Sequence, residues 1–494
     1  MYNPSRLRPV MVHGLPSPDA PDFLTSLEKP MRGTKVAIVS ALLLAGFEPA
    51  SFADPPEWTV MIYGCGDSSA EDHLMPHVRS LALLSKNGRS ANVVLLFDRA
   101  PGFSEDGKLF GENFEDTRLF ALDDGSWNRE GGGDAFPEIT LDSKYEANTG
   151  DATTLKKFIR FTKSAYPAKR FAVIFFGHGH SRSFCPDKTS DNDEIYTAEL
   201  TEVLGPQESV EFAWFDVCSY GGIENAYQFR PVPGRFAIAA MIATPPSSSP
   251  APMRTIFRNA GLVGEPANSP PKSGIEFGNL AVQLTEKHWR ERAALSGEGE
   301  HESWGCYDLT RAEQVKRDVD RLAALLAEHN PKSQVESIRG FGASPPTMHY
   351  FPPDSEVEWA ASPHFDLYDL ARRLHESATL PEDVRSAARG VTEGVGAMIT
   401  ASFGMDFFPG FEGGKNGIFI TFPDGSATRE GKSHWSRFGW YHPADRRNER
   451  HAFGLYDWCK VGATPNNGKV ENWFELLDSW YDDAPDGGVN NYRW

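Results

Sequence analysis

The sequence predicts an α/β fold, with a mainly parallel sheet covered by helices on both faces. Three observations carry this expectation. Apolar runs rich in aromatic and β-branched residues, such as Phe171–Phe176 and Phe212–Phe215, have the length of buried parallel strands. Segments with helical spacing alternate with these runs, and a β-α-β-α-β order implies parallel strands with helices on both sides. Both named runs also end in a reactive group. The first delivers His178 between two glycines, and the second delivers Cys218 two residues after Asp216. Parallel strands bring their carboxyl ends to one edge, where open α/β sheets place their chemistry.

Taken in order, WTVMIYG (58–64) reads as a strand, and Asp67-Ser68 as the cap of a helix carrying Leu74, Val78, Leu81 and Leu84. NVVLLFD (92–98) is the next strand, followed by a loop-rich acidic stretch to about residue 148. Thr149-Gly150-Asp151 starts a helix whose apolar face includes Leu155, Phe158 and Ile159, and this helix feeds the His178 strand. A polar loop (181–194) and a short helix at Thr197–Leu204 lead to the Cys218 strand. A helix over Gly221–Phe229 and a strand RFAIAAMIA (235–243) follow. TPPSSSPAPMRT (244–255) is too rich in proline and serine for regular structure, and it leaves the sheet beside the reactive edge, as a substrate-binding wall or a plain connector.

The second half reads as mainly helical, with helices near 274–294, 310–328, 365–376 and 381–401, a strand GIFITF (417–422) and a tryptophan-rich terminal helix, Glu471–Asp482. Leu322, Leu325 and Leu326 have the spacing of a packed helix face. No internal repeat is present. Pro/Gly-rich joints near 264–272 and 330–355 divide a core (57–263) from a helical second half (273–425), with a Trp-rich cap (430–494) beyond.

Among 494 residues there are 49 Lys and Arg against 68 Asp and Glu, without a basic run. Affinity for phosphates rests on basic side chains, so nucleic-acid and anionic-membrane partners are disfavoured. An acidic surface tolerates cationic peptides. A targeting signal begins at Met31: Arg32 and Lys35 precede the apolar Val36–Ala45, and Ser51-Phe52-Ala53 forms a small-residue cleavage site. The apolar run is too short to span a bilayer, so export is expected without a permanent anchor. Residues 1–30 are then an upstream extension, and 1–53 are excluded from the fold. An ordinary buried helix is the plainer reading of that run.

The five cysteines are Cys65, Cys185, Cys218, Cys306 and Cys459. With Cys218 kept free, the other four could form up to two bridges in any of three pairings. No CxxC is present, which argues against a thiolate zinc cluster.

His178 and Cys218 suit nucleophilic catalysis. A free thiol is mostly protonated at neutral pH, so a nearby imidazole must generate or stabilise the thiolate. The backbone N–H groups of Gly179 and Cys218 lie where strand ends expose them to a developing oxyanion. Gly177 and Gly179 allow close approach of backbone to substrate, and Gly221 and Gly222 open the turn after the thiol. Asp216 is either a turn-stabilising carboxylate or a group that binds a cationic substrate side chain beside Cys218.

The segments WTVMIYGCGDSSAEDHL, NVVLLFDR, TGDATTLKKFIRFTKSAYPAKRFAVIFFGHGH, FDVCSYGGIENAYQFR and FDLYDLARRL, in that order, resemble the clostripain family of cysteine endopeptidases, in the caspase-like group with gingipain and legumain. The resemblance covers about residues 57–425, and its specific parts are the HG and FDxC motifs. It implies a caspase-like three-layer αβα sandwich with His178 and Cys218 as the catalytic dyad, and Gly179 and Cys218 as the oxyanion hole. It also implies that Asp216 recognises Arg or Lys at P1 of a protein or peptide substrate.

The chain departs from the family pattern in three places. Ser219-Tyr220-Gly221 replaces a Leu-Met-Gly-like turn, and His180, read as a pocket-wall residue, replaces a small one. Serine and proline at Thr244–Pro250 replace acidic and glycine residues. Relatives are often precursors clipped after a basic residue, which points to Arg182 or Lys188 in the loop 181–194. No cofactor is implied, although some relatives use calcium, which the acidic Asp187–Glu194 stretch could bind. Two other classes remain open: a metal hydrolase holding zinc through His178, His180 and Asp216, and a secreted pseudoenzyme or binding protein of the same fold. HGH lacks the i, i+4 spacing of many zinc proteases, and no third histidine ligand is obvious.

Overall fold

Nine strands form the central sheet. They belong to a computed structural model that describes residues 54–265, 269–296, 299–340, 347–351, 363–423, 456–460 and 469–481. The chain divides into Met1–Ala53 and Asp54–Trp494, and the described residues all lie in the second unit. The targeting signal, the upstream extension, Trp435 and Trp440 therefore fall outside the description.

Five parallel strands make the middle: β2 (Asn92–Arg99), β1 (Trp58–Gly66), β5 (Arg170–Phe176), β8 (Val210–Asp216) and β9 (Ile238–Ala243). The edges are antiparallel. β3 (Thr117–Asp123) and β4 (Ser126–Glu130) close one side, and β10 (Ser303–Asp308) and β12 (Ile399–Gly404) the other.

Side chains alternate across the sheet, as strand geometry requires. Met61 and Tyr63 of β1 enter one core with α2 (Ala152–Ala165), α3 (Thr197–Val203), α4 (Ile223–Gln228) and α7 (Ala312–His329). That core also takes α9 (Leu367–Glu376), α10 (Glu382–Met398) and α11 (Trp473–Tyr481). Val60 and Ile62 enter the opposite core with α1 (Glu71–Ser85), α5 (Met253–Asn259) and α6 (Gly274–Ser296). A sheet with helices on both faces is the predicted α/β sandwich. α8 (Lys332–Arg339) and a small pair, β11 (His364–Asp366) with β13 (Phe419–Thr421), complete the second half. Among the described residues no helix is long and apolar enough to cross a membrane.

The structure differs from the sequence reading where pairing overrides local pattern. The acidic stretch before 148 contains the β3–β4 hairpin, and the loop 181–194 contains β6 (Ser183–Asp187) paired with β7 (Asp193–Tyr196). The helix read over 381–401 ends at Met398, because Ile399–Gly404 pairs with β10 as the sheet's last strand. Asp67 does not cap α1: its carboxylate accepts from Thr189 N and Oγ, and the cap residue is Ala70, without a side-chain bond.

Trp458 and Trp473 are buried, and Trp473 Nε1 donates to Thr421 O at 3.0 Å. One disulfide forms, Cys65–Cys185, while Cys218, Cys306 and Cys459 are free.

Candidate active site

In the β5–β8 ladder Phe176 pairs with Asp216. Two residues beyond that pair on each strand stand His178 and Cys218, so the imidazole and the thiol leave adjacent parallel strands at one level. Each is held by a second element. His178 O accepts from Cys185 N at 3.0 Å and His180 N donates to Ser183 O at 2.8 Å, so the β6 hairpin grips the histidine turn. The Cys65–Cys185 bridge fastens that hairpin to β1.

After the thiol, Ser219 adopts a left-handed φ of 56° and donates its N–H to Pro246 O at 2.8 Å. Tyr220 N and Gly221 N both donate to Thr244 O at 2.9 Å. The proline-serine loop after β9 therefore clamps the turn that presents the thiol. A non-glycine residue in the left-handed region costs of order 1 kcal/mol, which these bonds offset.

The two turns touch. A Cβ added at Gly179 would lie 2.7 Å from Val217 Cβ and 3.1 Å from Cys218 O, so only glycine fits. His178, Cys218 and Asp216 open onto one cavity of about 170 Å³, walled by Ser248–Pro250 and by Ala70 and His73 from the start of α1.

Ser69 Oγ lies 2.8 Å from His178 Nε2. Burial, followed by the nearby His180 and His73, holds the His178 imidazole below its ordinary pKa. The Cys218 thiol points at Ser248 O, 3.6 Å away, and Ser247 Oγ lies 3.5 Å from the sulfur. Among the described residues the amides of Gly179 and Cys218 have no protein acceptor, so both can donate to a ligand. Asp216 is 6% exposed, and among the described residues its carboxylate accepts only from Ala251 N, at 3.3 and 3.4 Å. Burial raises it well above the usual carboxylate range, with a smaller push from Glu302.

The structure thus brings together His178, Gly179, Asp216 and Cys218. His180 is exposed and does not line the cavity, contrary to the expectation of a pocket wall, because the turn points it away while His178 turns in. Sequence reading missed Ser69 and His73. Both follow the end of β1, and the rule that chemistry gathers at the carboxyl ends of parallel strands applied to that strand as well.

Among the described residues one group of three potential metal ligands converges, Asp67, Asp98 and Glu146, with ligand atoms within 4.8 Å of one another. His178, His180 and Asp216 do not form such a group, which removes the geometric basis for the zinc reading. Asp187 joins the carboxylates through Thr149 Oγ, which contacts Asp98 at 3.0 Å and Asp187 at 3.1 Å. Burial raises Asp67 and Asp98, and lifts Glu146 to about 7. Asp67 Oδ1 is buried without a hydrogen-bond partner. Two buried acids, one with an orphaned oxygen, beside the exposed Glu146 fit a hard divalent cation. Of the Asp187–Glu194 stretch, Asp187 turns into this cluster, Asp191 is exposed and Glu194 accepts from Ser183 Oγ.

An α/β sandwich with an imidazole and a thiol opening onto one cavity is an arrangement that suits a cysteine endopeptidase. Residues 62–480 match the family model described as the Clostripain family. The chain is 35% identical over 478 residues to clostripain of Hathewaya histolytica, covering 88% of this chain and 89% of that one. It therefore belongs to the clostripain family. A secreted C11 cysteine protease of Bacteroides thetaiotaomicron, solved with an irreversible peptide inhibitor, shares the fold at a TM-score of 0.52 and 14% identity, over 82% of this chain and 100% of that one.

Proposed function

We propose that this endopeptidase cleaves peptide bonds after Arg or Lys through a Cys218–His178 dyad and a thioester acyl-enzyme. The observation that carries this reading is the Phe176–Asp216 pairing, which feeds imidazole, thiol and a buried carboxylate into one cavity. His178 takes the Cys218 proton as sulfur attacks the scissile carbonyl carbon. The oxyanion lies against the Gly179 and Cys218 amides. Collapse breaks the C–N bond, and the imidazolium gives its proton to the leaving amine. Water, deprotonated by His178, then hydrolyses the thioester, releasing the acid and restoring the thiol. Asp216 receives the guanidinium or ammonium of P1.

The sequence from Met31 supports export as a secreted or periplasmic protein, with protein or peptide substrates. Arg182 and Lys188 remain the sites for self-processing. Lys188 is exposed, whereas the Arg182 carbonyl accepts from Thr197 N at 3.0 Å, which favours cleavage after Lys188. Calcium, where bound, would be held by Asp67, Asp98 and Glu146, with Asp187 close by, and would neutralise their repulsion, with no part in the bond-breaking steps. A pseudoenzyme of this fold would need no complete dyad, and here both residues and both amides are present.

The deciding experiment uses fluorogenic peptides varied at P1, with and without a thiol alkylator. Cleavage after Arg and Lys that alkylation abolishes and a chelator spares is expected. Cys218→Ala should give no turnover and stay a single chain where the parent splits. Turnover that survives alkylation would overturn the thiol mechanism.

A further inference from the structure

Glu302, just before β10, is 4% exposed, yet among the described residues it makes no ion pair. Its carboxylate contacts the Ser248 hydroxyl and accepts from Ser249 N at 3.0 Å. Trp304 Nε1 donates to the same Ser248 hydroxyl at 3.1 Å. Ser248 and Ser249 line the cavity, and two residues on Ala251 N donates to Asp216. The wall of the cavity is therefore strung between two buried carboxylates, Glu302 from one side and Asp216 from the other.

Among the described residues each carboxylate has only neutral donors. Two unpaired carboxylates this deeply buried are costly unless they keep a proton or receive a cation. The cation that reaches them must enter through the cavity, beside Cys218. An ammonium is a compact point charge that one carboxylate satisfies. A guanidinium spreads its charge over a planar fork with five N–H donors, which one carboxylate cannot occupy.

We propose that Glu302 is a specificity-determining positioning residue of the P1 pocket, which sets a preference for arginine over lysine. It acts through the Ser248–Ser249 wall, whose Ser248 carbonyl lies 3.6 Å from the Cys218 sulfur, and through a second negative charge behind that wall. The sequence supports a role from outside the loop, because Thr244–Pro250 holds no acidic residue of its own. This inference rests on the reading that Asp216 receives a basic P1 side chain.

The test measures kcat/KM of the full-length enzyme and of Glu302→Gln on peptides that differ only in Arg or Lys at P1. Melting temperature and the rate of Cys218 alkylation check that each variant is folded with its thiol accessible. The wild type is expected to favour Arg, and the Arg/Lys ratio in Glu302→Gln to fall about tenfold, mostly through KM for the Arg peptide. Glu302→Asp, which keeps the charge, should retain most of the ratio. An unchanged ratio, or an equal loss on both peptides, overturns the role of Glu302 while leaving the basic P1 reading intact. If the wild type cleaves neutral P1 residues as well as basic ones, both readings fall. Should Glu302→Gln fail to fold, Ser248→Ala decides: its ratio must fall in the same direction, and an unchanged ratio overturns the proposal.

Discussion

At the scale of single residues, the side chains of the proposed site differ in their surroundings. His178 is half-buried, and the neighbouring His180 and His73 disfavour its charged form. As pH falls the imidazole stays neutral to a lower pH than free histidine, so a base at this position remains competent further into acid. The acid limb of kcat/KM is expected below the ordinary imidazole value of about 6.5, and His180→Gln should move it upward by removing a like charge. A pH–rate profile of the two proteins checks both statements. Asp216 is buried at the cavity with a single backbone donor. Asp216→Ala should lower kcat/KM on Arg and Lys peptides about 100-fold and on neutral P1 peptides far less, measured on one peptide panel. Unchanged selectivity would move the P1 role elsewhere. Cys306 and Cys459 are buried, and burial pushes the Cys306 thiol up to about 12 and raises that of Cys459 well above its ordinary value, so neither is suited to be a nucleophile.

At the scale of elements, the site depends on two turns that face each other. The methyl group of Gly179→Ala would press on Val217 and the Cys218 carbonyl, so one turn must shift. A displacement of about 1 Å in a reacting constellation costs on the order of 100-fold in rate, and that loss in kcat is expected with a much smaller change in melting temperature. The Cys65–Cys185 bridge spans 120 residues and ties β1 to the hairpin that holds the His178 carbonyl. Replacing both cysteines by serine should destabilise the fold by about 2–5 kcal/mol, read from urea unfolding. Its pairing was open in the sequence, because the β6–β7 hairpin that carries Cys185 lies in a stretch with no strand signature. By contrast β1, β2, β5 and β8 were legible, since strands buried on both faces leave continuous apolar runs. β10 and β12 were not. SWGCYD and ITASFG have little periodicity of their own, and the neighbouring strand decides their conformation.

At the scale of the molecule, residues far apart in the chain converge on a second centre. Asp67, Asp98, Glu146 and Asp187 come from four segments, and their mutual repulsion is relieved by protonation or by a cation. Calcium should raise the melting temperature by a few degrees, and Asp98→Asn should abolish that rise, as differential scanning fluorimetry with calcium and with chelator would report. The centre is coupled to the site by position: Asp67 is two residues from Ser69, which contacts His178 Nε2. Both residues follow the carboxyl end of β1, so a cation held at Asp67 would sit beside the segment that contacts His178.

By itself the sequence determined the fold class and named the imidazole, the thiol and the carboxylate beside it, because apolar strand runs and the glycines around a reactive group are local patterns. Only the tertiary structure decided which groups meet. The disulfide partner, the Ser69 contact, the four-carboxylate centre and the approach of Glu302 to Ser248 each join segments dozens to more than a hundred residues apart. Strand order and register create such contacts, and no local stretch of sequence records them.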